Sequence, residues 1–346
     1  MPRFHDGVPG SHRRKTNPNP SSIALIRIIP TNMNILITGG AGFIGSHTAH
    51  ALARQGHEIH VLDDFNDFYD PAIKRANLAT LVPDARLTEG DIRQKAIVEK
   101  AYEPGIDLVI HLAARAGVRP SISDPELYIS TNIQGTYHLL DAARRHGVRK
   151  FVFASSSSVY GVNPKVPFAE DDLIQSTISP YAMTKLAGEQ MCSNYSHLYE
   201  MPVVCLRFFT VYGPGQRPDL AIHKFTDLIH RGEEVPMFGD GSTERDYTYI
   251  DDIVQGILAA TRYDAKRFDI FNLGESDTTR LDVLIREISG ALGKEAKIRR
   301  MPEQPGDVPR TFADITKARQ LLGYQPSARI VEGIPRFVEW YLSTRR

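Results

Sequence analysis

The sequence predicts an α/β protein: a doubly wound parallel sheet followed by a smaller C-terminal α/β domain. Three observations carry this. From Ile35 to Arg207, short apolar runs alternate with stretches of helical length, the spacing of repeated strand–helix–strand units. The first run opens into TGGAGFIGS, a glycine-rich turn between a strand and a helix. Beyond Gly213 the segments shorten and Pro and Gly become frequent, as in YGPGQRPD, FGDGSTERD and PEQPGDVPR, which marks a change of architecture.

The elements follow in order. Ile35–Thr38 reads as a buried strand and Gly42–Gln55 as the helix after it. Glu58–Leu62 and Arg86–Glu89 are the second and third strands, with a helix near Gln94–Ala101. Leu108–His111 is the fourth strand. A long helix covers Pro125–His146 and stops at Gly147, a suitable C-cap. Phe151–Ala154 is the fifth strand, Pro180–Tyr199 a long helix opening on proline, and Val203–Arg207 the sixth strand. Further helices are expected near Ile222–Arg231, Asp251–Thr261, Arg280–Leu292 and Ile334–Leu342. The resulting division is a flexible leader over 1–33, a nucleotide-binding domain over 34–207, and a mainly substrate-binding domain over 208–346.

Composition narrows the function classes. Lys+Arg and Asp+Glu both number 41 in 346 residues, so no net field draws the chain to nucleic acid or an anionic membrane. No apolar run approaches the length of a membrane helix; Ile23–Ile29 comes nearest and Arg27 interrupts it. The two cysteines, Cys192 and Cys205, suggest neither a disulfide framework nor a zinc site. No metal is expected, and a reducing cytoplasm fits.

Gly39, Gly42 and Gly45 form GxxGxxG at the strand-to-helix turn. Gly39 permits the tight turn, Gly42 lets the backbone approach a pyrophosphate, and Gly45 lets the helix pack close to the strand. Phosphates then meet free N–H groups at the helix start. Asp63 ends the second strand 18 residues after Gly45, where a carboxylate accepts hydrogen bonds from the ribose hydroxyls of a dinucleotide. Asp64 follows and no Arg adjoins it, so NAD is favoured over NADP. Asp91 and Ile92, after the third strand, are placed to meet adenine or simply to form a turn.

Tyr181 and Lys185 lie four residues apart in SPYAMTK and share one helix face. A neighbouring ammonium and a cationic nicotinamide both favour the phenolate, lowering the phenol from its usual value of about 10. Tyr181 is then a general base toward a substrate hydroxyl, and Lys185 also reaches a nicotinamide-ribose hydroxyl. The serine run Ser155–Ser158 ends the fifth strand and offers a second hydroxyl for the same proton.

TGGAGFIGS, HLAA (His111–Ala114), SSSSVYG, SPYAMTK and FGDGSTERDYTYIDD occur in that order. With them the chain resembles the extended short-chain dehydrogenase/reductase family of NAD-dependent sugar-nucleotide epimerases and dehydratases, over Met33 to about Tyr341. The resemblance implies a Rossmann fold with tightly held NAD. It implies cofactor contacts from Phe43, Ile44, Leu112, Ala113 and Ala114, and catalysis by Tyr181, Lys185 and Ser156. Within the family, DDFNDFYDP, HLAARAGVRPSI, RFFTVYGPGQRPD and QPGDVPRTFADITKA are similar to strings of the UDP-glucuronate 4-epimerases. That likeness implies a UDP-sugar substrate met by Arg119, Ser157, Ser158, Thr210, Arg217 and Arg245, and a homodimer formed by the two long helices. Tyr137, Leu139, Leu140, Met191 and Tyr195 either serve that interface or face the sheet. A UDP-glucose 4-epimerase, a UDP-glucuronate decarboxylase and a non-catalytic NAD-binding regulator remain open. Ser157 and Ser158 stand where the family's dehydratases carry an acidic pair.

Overall fold

A computed structural model of the protein describes residues 32–302 and 308–345; the expected leader lies outside them apart from Asn32 and Met33. The chain begins β1 (Asn34–Thr38), α1 (Phe43–Ala53), β2 (Glu58–Asp63), α2 (Pro71–Leu81), β3 (Arg86–Glu89), α3 (Lys95–Tyr102) and β4 (Leu108–His111). Two short helices, α4 (Val118–Ser123) and α5 (Pro125–Tyr128), lead through a wide π-helical turn (Ile129–Gln134) into α6 (Gly135–Arg145). Then come β5 (Lys150–Ser156), α7 (Pro180–Tyr199), β6 (Val203–Phe208), β7 (Thr210–Tyr212), α8 (Ala221–Arg231), β8 (Glu234–Phe238), β9 (Glu244–Arg245) and β10 (Tyr247–Tyr249). The remainder is α9 (Ile250–Arg262), β11 (Phe268–Leu273), β12 (Thr279–Arg280), α10 (Leu281–Leu292), β13 (Lys297–Met301), α11 (Thr316–Leu322) and α12 (Ile330–Ser343).

Seven parallel strands form the central sheet in the order β11-β6-β5-β4-β1-β2-β3. The order reverses at β1, and ligands of such sheets bind in the crevice outside the carboxyl ends at that point. Register makes the crevice. Thr38 of β1 is level with Leu62 of β2 and His111 of β4. His111 is level with Phe153, but β5 runs on beside β6 until Ser156 meets Phe208. The end of β5 therefore overhangs the crevice and carries its serines out over it.

Both sheet faces are apolar, as a sheet covered on both sides requires. Leu36, Val109, Phe151 and Phe153 pack under α3, α6 and α7, against Tyr102, Leu139 and Cys192. Ile35, Ile37, Ile110 and Val152 pack under α1 and α9, in a core continuous with that of the C-terminal body at Val235, Leu284 and Phe337. Leu139 and Leu140 are fully buried and so face the sheet, while Tyr137, Leu198 and Tyr199 stand exposed on the outer faces of α6 and α7. Among the described residues no helix is long and apolar enough to cross a membrane.

Among the departures from the sequence expectation, three bear on the sheet and the site. The helix expected over Pro125–His146 widens at Ile129–Gln134, where Thr136 Oγ1 donates to the Asn132 carbonyl at 2.5 Å. Helix α2 had not been expected, although its start is marked: Asp70 caps it by accepting from Ala72 N at 2.9 Å, and Pro71 follows. Strand β11, also unexpected, lies beyond residue 208 yet closes the central sheet against β6. Its polar Asp269 and Asn272 disguise it. Asp269 accepts from the Tyr263 hydroxyl at 2.6 Å and pairs with Lys317, and Asn272 accepts from the Tyr160 hydroxyl at 2.7 Å. These distant partners make burial of the polar groups tolerable.

Candidate active site

The glycine turn is built as its spacing requires. Gly39 has φ +69°, and a Cβ there would sit 2.8 Å from Ala113 N. A Cβ on Gly45 would lie 2.2 Å from the Gly39 carbonyl oxygen, so any side chain would push α1 off β1. Gly42 is the N-cap of α1, and a Cβ there would meet only Gly39 O, at 3.2 Å. The backbone stays open to a ligand at that point.

Asp63 follows at the end of β2. Its carboxylate accepts from Ala41 N at 3.1 Å and from Phe65 N at 3.0 Å, tying the second strand to the glycine turn. Burial pushes this carboxyl above its ordinary range, against those two N–H groups and nearby Lys74. Lys74 was missed at the sequence level because α2 was missed. It is buried beside Asp63 and Asp64, its ammonium donates to Asn66 O at 2.9 Å, and burial lowers its pKa. Asp91 is engaged in the fork of Arg93, at 2.8 Å to Nε and 2.6 Å to Nη2. Partial burial works against its ionisation, but Arg93 prevails and holds the carboxyl below the usual range.

Ser156, Tyr181 and Lys185 converge on the same cavity. Ser179 starts α7 by accepting from Ala182 N at 3.1 Å, with Pro180 in the first turn, which sets Tyr181 at the helix start and Lys185 one turn on. The Lys185 ammonium donates to Ala154 O at 2.7 Å and is almost fully buried. Burial brings its pKa down to about 8. Ser156 Oγ donates to Ser158 Oγ and accepts from Ser158 N, each at 3.2 Å, and lies close enough to Tyr181 to favour its phenolate.

The expectation that Lys185 lowers the Tyr181 pKa is not met in the ligand-free chain. Burial raises the phenol above its ordinary value, and the groups opposing this are Ser156 and Arg217. The Lys185 ammonium sits 6.0 Å from the Tyr181 ring centroid and is spent on a backbone carbonyl. Tyr128 packs edge-on to Tyr181 with centroids 6.3 Å apart.

Buried Asn132 locks the wall opposite α7. Its amide accepts from Arg115 N at 2.8 Å and donates to Arg115 O at 2.9 Å and Thr184 Oγ1 at 3.0 Å. The loop after β4 is thereby clipped to the catalytic helix. The preceding residue, Thr131, lines the cavity with a buried hydroxyl that has no protein partner among the described residues.

One cavity of about 480 Å³ joins these groups, within the range of small-molecule sites. Gly39, Gly42, Phe43, Ile44, Gly45, Asp63, Asp64, Asp91, Ile92, Leu112, Ala113 and Ala114 line its nucleotide end. Ser156, Ser157, Ser158, Tyr181, Lys185, Thr210 and Arg217 line the other. Arg119 and Arg245 are not brought to it. Arg119 lies 5.2 Å from the Phe238 ring centroid, and Arg245 Nη1 donates to Glu244 O at 2.8 Å. Among the described residues no cluster of His, Cys, Asp or Glu is arranged to hold a metal ion.

The model of the NAD dependent epimerase/dehydratase family matches residues 35–274. The chain belongs to that family. UDP-glucuronate 4-epimerase 4 of Arabidopsis thaliana is 41% identical over 343 residues, covering 93% of this chain and 78% of the plant protein. Among solved structures, UDP-glucuronic acid 4-epimerase from Bacillus cereus, in complex with UDP-glucuronic acid and NAD, has a TM-score of 0.84 at 35% identity. It covers 90% of this chain and all of its own. UDP-glucose 4-epimerase from Thermotoga maritima, with UDP-glucose, has a TM-score of 0.85 at 34% identity, covering 91% of this chain and 100% of its own. As a member of this NAD-dependent family the epimerase uses NAD. The residues present fit it: the open backbone at Gly42 suits a pyrophosphate, and Thr131 offers an uncommitted buried hydroxyl.

Proposed function

We propose that this epimerase interconverts UDP-glucuronate and UDP-galacturonate at C4 through a 4-keto sugar. The observation that carries the reading is the convergence of Ser156, Tyr181 and Lys185 on the cavity of the glycine turn, with Arg217 beside Tyr181 on the substrate side. The names of the Arabidopsis and Bacillus relatives support the same choice.

When bound, NAD would supply reversible hydride acceptance at C4, held by the glycine turn and Asp63. Tyr181 accepts the C4 hydroxyl proton and gives it back to the 4-keto oxygen after the sugar has turned. Ser156, beside Tyr181 in the same cavity, holds the same oxygen and shortens the proton's path. Lys185, fixed on Ala154 O, keeps a positive charge at the base of the site. Asp63, Gly39, Gly42 and Gly45, with Phe43, Ile44, Leu112, Ala113 and Ala114, hold the cofactor, and Asp64, Asp91 and Ile92 frame its adenosine end. Ser157, Ser158 and Thr210 offer hydroxyls to the sugar, and Arg217 offers a guanidinium fork to the uronate carboxylate. Arg245 and Arg119 are assigned to the diphosphate, although neither lines the cavity.

Dehydration and decarboxylation are disfavoured. The carboxylates that line the cavity, Asp63, Asp64 and Asp91, all sit at the nucleotide end, where none can serve as an acid or base at the hexose. Choosing the uronate over the neutral hexose rests on Arg217 and Thr210. Purified protein supplied with each sugar is expected to give a higher kcat/KM for UDP-glucuronate than for UDP-glucose. Arg217→Met should cut the uronate value by about 10- to 100-fold, the worth of a hydrogen bond to a charged group, with a smaller loss on UDP-glucose. Equal loss on both sugars refutes the assignment. We also infer a homodimer through α6 and α7, whose exposed Tyr137, Leu198 and Tyr199 suit burial against a second copy; a monomer in sedimentation rules this out.

A further inference from the structure

Arg217 enters the cavity already held. Asp219 grips its guanidinium side-on, accepting from Nε at 2.9 Å and from Nη2 at 2.8 Å. The guanidinium carbon lies 5.3 Å from the Phe68 ring centroid. This leaves the end-on pair, Nη1 and the second Nη2 hydrogen, without a hydrogen bond among the described residues. An arginine offers two such edges, and a planar carboxylate fits either.

The backbone under Arg217 is rigid for separate reasons. Pro214 O accepts from His47 Nε2 of α1 at 2.8 Å. Gln216 is buried, donates to Val211 O at 3.0 Å, accepts from His223 N at 3.2 Å, and its own carbonyl accepts from His223 Nδ1 at 2.6 Å. With the main chain fixed, the direction of the guanidinium is decided by its side-chain torsions, and Asp219 sets those.

We propose that Asp219 is a positioning residue for substrate choice: it orients Arg217 so that the free end-on edge meets a carboxylate on the sugar, and it balances the guanidinium charge beside Tyr181 when no such carboxylate is bound. The proposal rests on the uronate reading given above. Asp219 does not line the cavity and touches no reacting group; it acts through Arg217. The charged and titratable groups facing Arg217 are Asp219 on the same loop, Tyr69 ahead of α2, Lys74 on α2, Tyr128 on α5 and Tyr181 on α7. Asp219 is the carboxylate bonded to the guanidinium, so neutralising it leaves that charge unbalanced next to the phenol.

The test is steady-state kinetics of full-length Asp219→Asn and Asp219→Glu, with NAD bound, on UDP-glucuronate and UDP-glucose across pH. Asp219→Asn should raise the KM for UDP-glucuronate about tenfold through lost orientation of a charge-assisted contact, and leave the KM for UDP-glucose within about twofold. The acid limb of kcat/KM on UDP-glucose should move to lower pH, because an unbalanced guanidinium favours the Tyr181 phenolate. Asp219→Glu, which keeps the charge, should hold that limb in place. A lower KM for UDP-glucuronate in Asp219→Asn would mean that Asp219 competes with substrate, and overturns the proposal. Equal changes on both sugars, or an unmoved acid limb, overturn it as well. If the wild type turns over UDP-glucose alone, the uronate reading fails by itself; the acid-limb shift on that sugar still decides whether Asp219 balances Arg217.

Discussion

Tyr181→Phe is expected to lose turnover by on the order of 10²–10⁴-fold, the usual contribution of a positioned general acid–base group, while UDP-sugar binding stays near the wild-type value. The change removes one oxygen. Ring packing against Tyr128 needs no hydroxyl, so the edge-to-face contact survives. The Lys185 ammonium bonds Ala154 O rather than the phenol, so its position survives too. What is lost is the atom that exchanges a proton with the C4 oxygen. Ser156 cannot substitute, because a hydroxyl with no base behind it has nowhere to pass the proton. Initial rates with calorimetric titration of UDP give both halves of the result. Full activity in the variant would remove Tyr181 from the mechanism.

Glu189→Gln is expected to lower folding stability by about 3–5 kcal/mol, the cost of leaving one member of a buried ion pair without its partner. Glu189 lies one turn beyond Lys185 on α7. Its carboxylate takes both forks of Arg207, from Nε and Nη2 at 2.8 Å each, and the Ser155 hydroxyl at 2.5 Å. The two charged side chains are 1% and 3% exposed. Arg207 Nη1 continues to the Tyr160 hydroxyl at 3.0 Å, and Tyr160 to Asn272 of β11. One carboxylate thus joins α7, the serine end of β5, β6 and the strand that closes the sheet. Glutamine keeps the shape and one acceptor but leaves the buried guanidinium charge unmatched. Urea unfolding measures the loss; a change under about 1 kcal/mol, the range of an exposed pair, contradicts this view of the network.

The parts legible in the sequence are those whose cause is local. Gly39 is required by its positive φ and Gly45 by the Gly39 carbonyl oxygen, both within one turn, so their spacing announced the nucleotide turn. Tyr181 and Lys185 share a face because of helical periodicity alone. Strands β1, β2, β4, β5 and β6 are built on short apolar runs in sequence as well as in space, whereas β3 (RLTE) is a polar, largely exposed edge. What stayed hidden depends on distant partners. Strand β11 carries Asp269 and Asn272, acceptable only because Tyr263, Lys317 and Tyr160 reach them. Lys74 joined the site through α2, although the Asp70-Pro71 start of that helix was a readable signal. The raised Tyr181 pKa follows from burial, which no spacing of residues expresses. The family pattern led to Arg217 but gave no hint that Asp219 already occupies one edge of it. It also led to Arg119 and Arg245, which stand clear of the ligand-free cavity.

The central claim is that one phenol and one retained NAD act on C4 of a UDP-sugar. Mass spectrometry of the product formed from UDP-glucuronate carrying deuterium at C4 tests it most directly. The expected product is UDP-galacturonate that keeps the deuterium at C4, since the same hydride leaves and returns within one closed site. Loss of the label to solvent, or a pentose product with release of carbon dioxide, would contradict the mechanism drawn from Tyr181, Ser156 and Lys185.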